Sequence, residues 1–350
     1  MRGIGDYQCY MAVDETNSGG APFQSTPLPV SYKDRSAGLI IFGILTILLG
    51  CFVALLVPLM LFGQAMAAKT TGAQPPFSSI ILAVCVYGAL AVALVWLGIG
   101  SIMARRWARA LLLIFSWSWL VIGVFVMFFL MFLVPKIMAN MSATGAAGHP
   151  GMPAAAMGIV MFVMFLVDGF IFIVLPAVWT FFYNSRHVKA TCETRDPVTR
   201  WTDACPLPVL AICVWLAFGA PVMLLMPIVG HGVTPFFGTF LSGLPGMIFY
   251  LVAAGFWAGA AWWLYKLDAR GWWLIFIALC VFIVSAGLTF ARHDITEMYR
   301  LMDYSEAQIQ QMQKAGFLTG TSMCWMMVLS GLPYLGYLLY IKKFLRRSIS

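Results

Sequence analysis

The strongest constraint on this chain is a series of eight long, continuous apolar stretches. A helix needs about 20 predominantly apolar residues to cross the hydrocarbon core of a bilayer, and each stretch is long enough. The strands of a membrane β-barrel would instead show segments of about ten residues with alternating polarity. The sequence therefore predicts an all-α, polytopic helical membrane protein with eight transmembrane helices. The predicted spans are 37–63, 78–103, 109–134, 156–183, 207–229, 237–265, 272–291 and 316–341.

The composition excludes a water-soluble globular domain. Hydrophobic residues make up 62% of the chain and charged residues 10%, whereas soluble domains carry about 25% charged residues. The formal net charge of +8 does not indicate nucleic-acid binding here, because Lys and Arg accumulate in the cytoplasmic loops of membrane proteins. We therefore expect the lipid bilayer as a partner and no nucleic acid.

The distribution of Lys and Arg predicts the orientation of the spans. With the N-terminus inside, 16 of the 21 basic residues fall in inside segments, and such an excess marks the cytoplasmic side. Both termini are then cytoplasmic. Residues 1–36 lack the apolar core of a secretory signal peptide, and their composition predicts a flexible cytoplasmic tail. Residues 342–350 are predicted to form a basic cytoplasmic tail. The expected location is the plasma membrane, as a multi-pass protein of a bacterial inner membrane.

Two short strings suggest that the membrane region contains an internal repeat. ARRWARALLLIF at 104–115 and YKLDARGWWLIF at 265–276 each join a basic turn to an apolar run. Residues of other spans also match in order, such as Pro176 with Pro333. Four spans per copy is an even number, so both copies would insert in the same orientation. The predicted units are a first repeat at 37–183, a cytoplasmic linker at 184–206 and a second repeat at 207–341.

The basic residues of the two strings are predicted to be topology anchors. They are Arg105, Arg106, Arg109, Lys266 and Arg270. Positive charge at the inner end of a helix hairpin holds the turn in the cytoplasm. A second interpretation stays open, because short basic clusters also bind anionic lipid headgroups or the phosphate of a substrate.

Asp168 is the carboxylate closest to the middle of any predicted span. A charge at the bilayer centre costs about 2.5–3.5 kcal/mol even on the insertion scale, so such residues are functional candidates. If the second and third spans pack against the fourth, then Tyr87, Ser116 and Ser118 could form hydrogen bonds with it. Two interpretations stay open: a proton-binding or substrate site, and a neutral carboxyl that bonds one helix to another.

Methionine and histidine are concentrated toward the predicted outer side. Thioether and imidazole groups suit copper, and Met favours Cu(I), so copper handling on the periplasmic side is one hypothesis. The alternative is that Met fills irregular apolar surface. The copper candidates are Met138, Met141, His149, Met152, His293 and Met298.

The predicted outer loops differ in character. Residues 64–77 and 230–236 form short loops, and 135–155 is small and flexible in composition. The loop at 292–315 predicts a short surface helix, because Ser305 can cap the run EAQIQQMQK.

The chain contains no recognisable catalytic motif, neither a phosphate-binding loop nor a metalloprotease or hydrolase signature. We therefore expect a protein that is not an enzyme and that needs no cofactor. The leading hypothesis is a membrane subunit or scaffold that binds another membrane subunit or a second copy of itself. The alternatives are a small-solute or proton-coupled transporter that uses Asp168, and the copper hypothesis.

Overall fold

The contacts in the computed structural model group residues 33–350 into one unit, separate from residues 1–32. Backbone structure is described for residues 32–71, 77–143, 154–314 and 320–345. Side chains are described for residues 32–66, 80–131, 158–306, 308–310, 313 and 331–345.

Long apolar helices form the membrane region. In the described part of the chain, seven helices are long and apolar enough to cross a bilayer. This number supports a multi-pass helical membrane protein. Another long helix follows near the C-terminus, but many of its side chains lie outside the described set, so eight spans stay a prediction. The helices are α1 (Ser36–Thr71), α2 (Phe77–Ile102), α3 (Arg106–Ala143), α4 (Ala154–Gly169), α5 (Leu175–Asn184), α6 (Arg186–Arg195), α7 (Leu207–Gly230), α8 (Gly243–Tyr265), α9 (Ala269–Arg292), α10 (Ile295–Leu301), α11 (Glu306–Lys314) and α12 (Gly320–Leu345).

Two helices continue well beyond the predicted spans. Helix α1 runs to Thr71 and α3 runs to Ala143. The predicted loop 64–77 is therefore helical up to Thr71, and the prediction of a flexible segment at 135–155 is wrong up to Ala143. Hydropathy detects the apolar length that fits a bilayer. It does not detect helix propensity, which remains high in the Ala, Met, Gln and Lys residues that follow.

Helices α1 and α2 cross at glycines that allow their backbones to approach closely. A Cβ atom on Gly43 would lie 2.8 Å from the carbonyl oxygen of Gly98, and a Cβ atom on Gly98 would lie 2.7 Å from the carbonyl oxygen of Gly43. Small residues at such crossings are typical of membrane helix pairs, which gain van der Waals contact when backbones are close.

Each half of the membrane region has its own buried core. In the first half α1 packs on α2, and α3 packs on α5. In the second half α7 packs on α8, and α9 packs on α12. Both cores lie toward the end that carries residues 185–206, and we call this the linker end. A smaller cluster joins the halves there, where Ala110 and Ile114 of α3 meet Cys205 and Leu210.

The turns that join α2 to α3 and α8 to α9 have the same backbone geometry. Ala104 has φ 52° and Leu267 has φ 59°, so each turn contains one left-handed residue. The N–H groups of Arg105 and Asp268 each donate to a carbonyl five residues earlier, at 2.9 Å. Arg105 therefore corresponds to Asp268 in the turn. Matching the letters of the two strings pairs it instead with Lys266, which is two residues away.

The linker folds back onto the end of the first half. Ser185 caps α6 by accepting a hydrogen bond from the N–H of His187 at 3.3 Å. The N–H of Arg35, just before α1, donates to Thr191 Oγ1 at 3.1 Å. A short 3₁₀ turn, Trp201–Asp203, follows α6 and precedes α7. The linker is therefore an ordered element attached to the bundle.

A β-hairpin replaces the start of the predicted sixth span. Strands β1 (Thr234–Phe236) and β2 (Thr239–Leu241) pair antiparallel before α8 begins at Gly243. The predicted start at residue 237 is wrong, because Phe237 has φ 40° and Gly238 has φ 92°, which an α-helix does not contain. The turn N–H groups donate to hydroxyls of α9: Phe237 N to Ser285 Oγ at 2.9 Å and Gly238 N to Thr289 Oγ1 at 3.0 Å.

The predicted helix in the last outer loop is confirmed, with an additional helix before it. Ser305 Oγ accepts from the N–H of Gln308 at 3.4 Å, and Gln308 Oε1 accepts from the N–H of Ser305 at 3.0 Å. This reciprocal pair is a capping box at the start of α11. Asp294 caps α10 in the same loop by accepting from the N–H of Ile295 at 2.8 Å.

Candidate functional site

Asp168 lies in the least buried membrane segment of the described chain. This segment consists of α4, a π-helical stretch (Phe170–Val174) and α5. In its most apolar 18 residues 0% are buried, against 17–33% in the other six candidate spans. At 1.5 Å per residue, Asp168 is about 21 Å along the helix from Ala154. The carboxyl group is therefore near the middle of the segment.

The half-buried residues around Asp168 follow one face of the helix. Met161, Met164, Phe165, Asp168 and Phe172 are half-buried, while most residues between them are exposed. Their spacing of three and four residues defines one stripe, and the neighbouring helix is α3. We call this stripe the α3–α4 seam. The Asp168 carboxyl forms no hydrogen bond or ion pair with any described residue.

The π-helical stretch just after Asp168 has a cause in the sequence. Pro176 has no N–H, and its ring excludes the carbonyl of the residue four positions earlier, which is Phe172. The N–H of Leu175 donates to the carbonyl of Phe170, five residues earlier, which is the π pattern. Pro333, the sequence match of Pro176, lies inside α12 with no such stretch. Single π turns often mark functional positions.

Gly123 of α3 accommodates the displaced carbonyl. A Cβ atom at Gly123 would lie 2.1 Å from the carbonyl oxygen of Phe172, which is much closer than any van der Waals contact. Gly123 is itself buried, although its neighbours in α3 are mostly exposed or half-buried. The backbones of α3 and this segment therefore approach closely about one turn beyond Asp168.

The three predicted partners of Asp168 are all engaged elsewhere. Tyr87 packs with the apolar cluster of Val53, Ala91 and Leu94 between α1 and α2. Ser116 is fully buried and donates to the carbonyl of Leu113 in its own helix at 3.1 Å. Ser118 accepts from the indole N–H of Trp215 in α7 at 2.7 Å, which joins the two halves. None of the three forms a hydrogen bond with Asp168 in the described structure.

The first basic turn is bound to the linker by carboxylates. Asp196 is 2% exposed and accepts hydrogen bonds from Arg200 Nη2 at 3.0 Å and from the backbone N–H of Arg106 at 3.3 Å. Arg105 Nη1 lies 3.6 Å from the same carboxylate. The Arg106 guanidinium also pairs with Glu193 at 3.3 Å and Asp203 at 3.8 Å. We call the three carboxylates Glu193, Asp196 and Asp203, together with the arginine groups paired with them, the linker clasp.

Electrostatics in the linker clasp favour ionised Asp196. Burial alone would raise the pKa of this carboxyl, but the hydrogen bonds from Arg200 and Arg106 and the attraction of Arg200 and Arg105 outweigh it and lower the pKa. Burial raises the pKa of the neighbouring Cys192 thiol to about 11. Cys192 is therefore a protonated core residue. It belongs to α6 of the linker and packs against the first half.

The other predicted anchors have different surroundings. Arg109 is half-buried, and its Nε has no hydrogen-bond partner in the described structure. In the second turn, Arg270 Nε lies 3.9 Å from Asp268, and Lys266 Nζ lies 4.5 Å from the ring centre of Trp262. The anchor prediction concerns orientation in a membrane and stays a prediction for all five residues.

The copper candidates are only partly visible. The side chains of Met138 and Met141, and all of His149 and Met152, lie outside the described residues. His293 Nδ1 lies 2.7 Å from Glu297 Oε2, and Met298 packs against a cluster containing Phe290 and Ile295. The described part of the chain contains no group of three or more His, Cys, Asp or Glu residues arranged to hold a metal ion.

Sequence reasoning missed the carboxylates of the linker clasp. The signal was present, because the linker carries Glu193, Asp196 and Asp203 among several basic residues. Counting Lys and Arg in each loop ignores these acidic residues, and it does not show which carboxylates face the turn at 103–105. No protein-family model, curated protein or solved structure matches this chain. The role of the site is therefore argued from its own geometry.

Proposed function

We propose that the protein is a non-enzymatic subunit of a membrane complex. In this proposal, a transmembrane helix of a different subunit docks along the α3–α4 seam and supplies a hydrogen-bond donor to Asp168. The observation that carries the proposal is the carboxyl itself: it is half-buried in the least buried membrane segment, with no polar partner among the described residues.

Lipid acyl chains can cover the apolar side chains of this segment but cannot form a hydrogen bond with the Asp168 carboxyl. Phe162, Leu166 and Phe170 are more than half exposed on this segment, and acyl chains cover such side chains as well as another helix does. Acyl chains offer no donor to a carboxyl group. Intramembrane carboxyls almost always pair with another polar group or face a water-filled cavity, so a protein partner satisfies Asp168 where lipid does not.

Charge complementarity defines the expected occupant. An ionised Asp168 would pair with Lys or Arg of the docking helix, and a neutral Asp168 would pair with Ser, Thr, Asn, Gln or His. Met164, Phe165 and Asp168 are each partly exposed along the seam, so a single docking helix is enough to cover them. The π stretch and Gly123 hold the Asp168 turn in position against α3.

The transporter alternative receives no comparable support. It requires a polar cavity that reaches Asp168 from one side of the membrane. Two hollows in the described structure lie along α1 and α2, and Asp168 lines neither of them. The larger one encloses about 360 Å³ and has an almost wholly apolar lining that includes Gly50, Ala54 and Ala91.

A photo-crosslinking residue at Phe165, one turn from Asp168 in the seam, tests the proposal in native membranes. We expect a crosslink to one other polypeptide that disappears in Asp168→Leu and is retained in Asp168→Glu. The crosslinked partner peptide should carry a basic or hydrogen-bonding residue. The matched control places the same crosslinker at Val92, which is 71% exposed on α2, and should give no such product.

Two outcomes would contradict this proposal. A crosslinked product of two copies of this chain would show that the seam mediates self-association and does not bind a different subunit. Crosslinks to lipid alone, at normal expression of every variant, would show that nothing but the bilayer covers the seam.

We also propose that the two halves are duplicated units with the linker end in the cytoplasm. Separate cores, equivalent helix pairs and turns of one geometry support the duplication. In each half a tyrosine of the last helix is also tied to the first helix. Tyr183 bonds to Ser101, which donates to the carbonyl of Leu39, and Tyr337 donates to the carbonyl of Pro208 at 2.9 Å. The basic residues at the linker end support the orientation.

A further inference from the structure

The linker end of the second half carries four basic residues, and the described structure provides only one carboxylate to them. Lys266 and Arg270 belong to the turn between α8 and α9, and Lys342 and Lys343 lie near the end of α12. Among the described residues, none of the three lysines has an ion-pair partner. Arg270 has only Asp268, at 3.9 Å.

Aromatic rings lie close to the ammonium groups of these lysines. Lys342 Nζ lies 4.4 Å from the ring centre of Trp272 and 5.0 Å from that of Trp273, which connects α12 to α9. Lys343 Nζ lies 3.7 Å from the ring centre of Tyr340. A ring face attracts a cation and orients it, but it carries no net charge. The ammonium groups of Lys342 and Lys343 therefore lie against rings, and no carboxylate of the described residues neutralises them.

The corresponding end of the first half shows the opposite arrangement. There the linker clasp supplies Glu193, Asp196 and Asp203 to the guanidinium groups of the turn. The linker also approaches the second half, where Tyr265 Oη donates to the carbonyl of Trp201 at 2.9 Å. That contact is between neutral groups and brings no carboxylate of the described residues to Lys266, Lys342 or Lys343.

The surroundings of these cations match the headgroup level of a bilayer. Trp262, Trp263 and Trp273 are 60%, 38% and 50% exposed around the turn, and Trp is enriched where hydrocarbon meets headgroups. We propose that Lys266, Lys342 and Lys343, framed by these tryptophans, bind the phosphate of an anionic phospholipid. We call this the lysine–tryptophan surface. The proposal does not depend on Asp168 or on a partner subunit.

Lipid retention by the purified full-length protein tests the proposal. The probe is phosphatidylglycerol, compared with phosphatidylcholine, each titrated in detergent and counted by native mass spectrometry. We expect selective retention of phosphatidylglycerol by the wild type. The double variant Lys342→Gln/Lys343→Gln should lower that affinity about thirtyfold, because each basic residue near a charged membrane surface contributes about fivefold.

The control removes the same amount of positive charge at the linker end of the first half. Lys33→Gln/Arg186→Gln changes two exposed basic residues away from the lysine–tryptophan surface and should leave retention unchanged. Trp273→Leu keeps every charge and should weaken phosphatidylglycerol retention, because it removes one of the tryptophan rings beside the lysines. Equal losses in both double variants would overturn the proposal in favour of net charge alone. Competition by millimolar inorganic phosphate would overturn it in favour of a free-anion site.

Discussion

Replacing Asp196 by alanine is expected to detach the linker from the turn between α2 and α3. Asp196 is almost fully buried and receives hydrogen bonds or close charge contacts from Arg105, Arg106 and Arg200. Removing one member of a buried ionic group leaves the others uncompensated, which costs about 3–5 kcal/mol when all are buried. Because Arg105 and Arg200 are about one third exposed, we expect a loss of about 2–3 kcal/mol in unfolding free energy.

Two measurements check this result. The thermal unfolding midpoint of the purified protein should fall by several degrees. In a chain where Cys192 is the only cysteine, maleimide labelling should accelerate at least tenfold, since that thiol is 1% exposed under the intact linker. Asp34→Ala is the control, because Asp34 makes an exposed pair with Arg195 at 3.5 Å, and such pairs contribute little. Equal effects of both substitutions would show that the linker clasp has no special role.

Acid should reproduce part of the Asp196 effect. The pKa of Asp196 is lowered in the folded protein, so its stabilisation is complete above the unfolded value of about 4. The stabilisation is lost as the pH falls from there through the folded pKa. The difference in unfolding midpoint between the wild type and Asp196→Asn should therefore be constant above pH 5 and shrink below pH 4. A constant difference down to pH 2 would contradict the assignment.

Replacing Gly123 by alanine is expected to separate α3 from the π-helical stretch. The added methyl group would lie 2.1 Å from the carbonyl oxygen of Phe172, and this neighbour is backbone, which cannot rotate away. Overpacking of this kind costs about 1–3 kcal/mol. We expect a lower unfolding midpoint together with loss of the crosslink from Phe165, because the turn that carries Asp168 would shift.

The control for Gly123 uses glycines with open space around them. A Cβ atom at Gly88 in α2 or at Gly255 in α8 would meet no other atom within 4 Å. Alanine there should be neutral or stabilising by up to about 1 kcal/mol, because alanine has the higher helix propensity. If Gly123→Ala also stabilises the protein, the close approach of α3 to Phe172 is incorrect.

The membrane helices could be predicted from the sequence because bilayer thickness imposes a simple length and polarity requirement. The capping of α11 by Ser305 was equally predictable, since a capping box involves residues only three apart. The β-hairpin at 234–241 was not, because its turn contains apolar residues that a hydropathy window assigns to a helix. Its hydrogen bonds to Ser285 and Thr289 are contacts over about 50 residues of sequence.

The candidate site shows the same division. Asp168 stood out in the sequence because a carboxyl in an apolar run is rare. Its surroundings did not, since Ser116 and Ser118 lie on α3 but bond to Leu113 and Trp215 instead. Which face of a helix meets which neighbour depends on packing between segments. Matching the two repeats by sequence cannot supply that packing. In the basic turns it paired Arg105 with Lys266, whereas the backbone geometry pairs Arg105 with Asp268, two residues further along.

The sequence by itself determined that this is a multi-pass helical membrane protein with basic turns at one end, because hydropathy and charge act locally and need no partner. Only the tertiary structure decided that those turns differ. The first is neutralised by Asp196, Glu193 and Asp203 of the linker. In the second, Lys266 lies against the ring of Trp262, and Lys342 of α12 lies nearby against Trp272 of α9. Ion pairs and cation–π contacts act over a few ångströms, and the helix packing that brings these groups so close is not written in any single stretch of the chain.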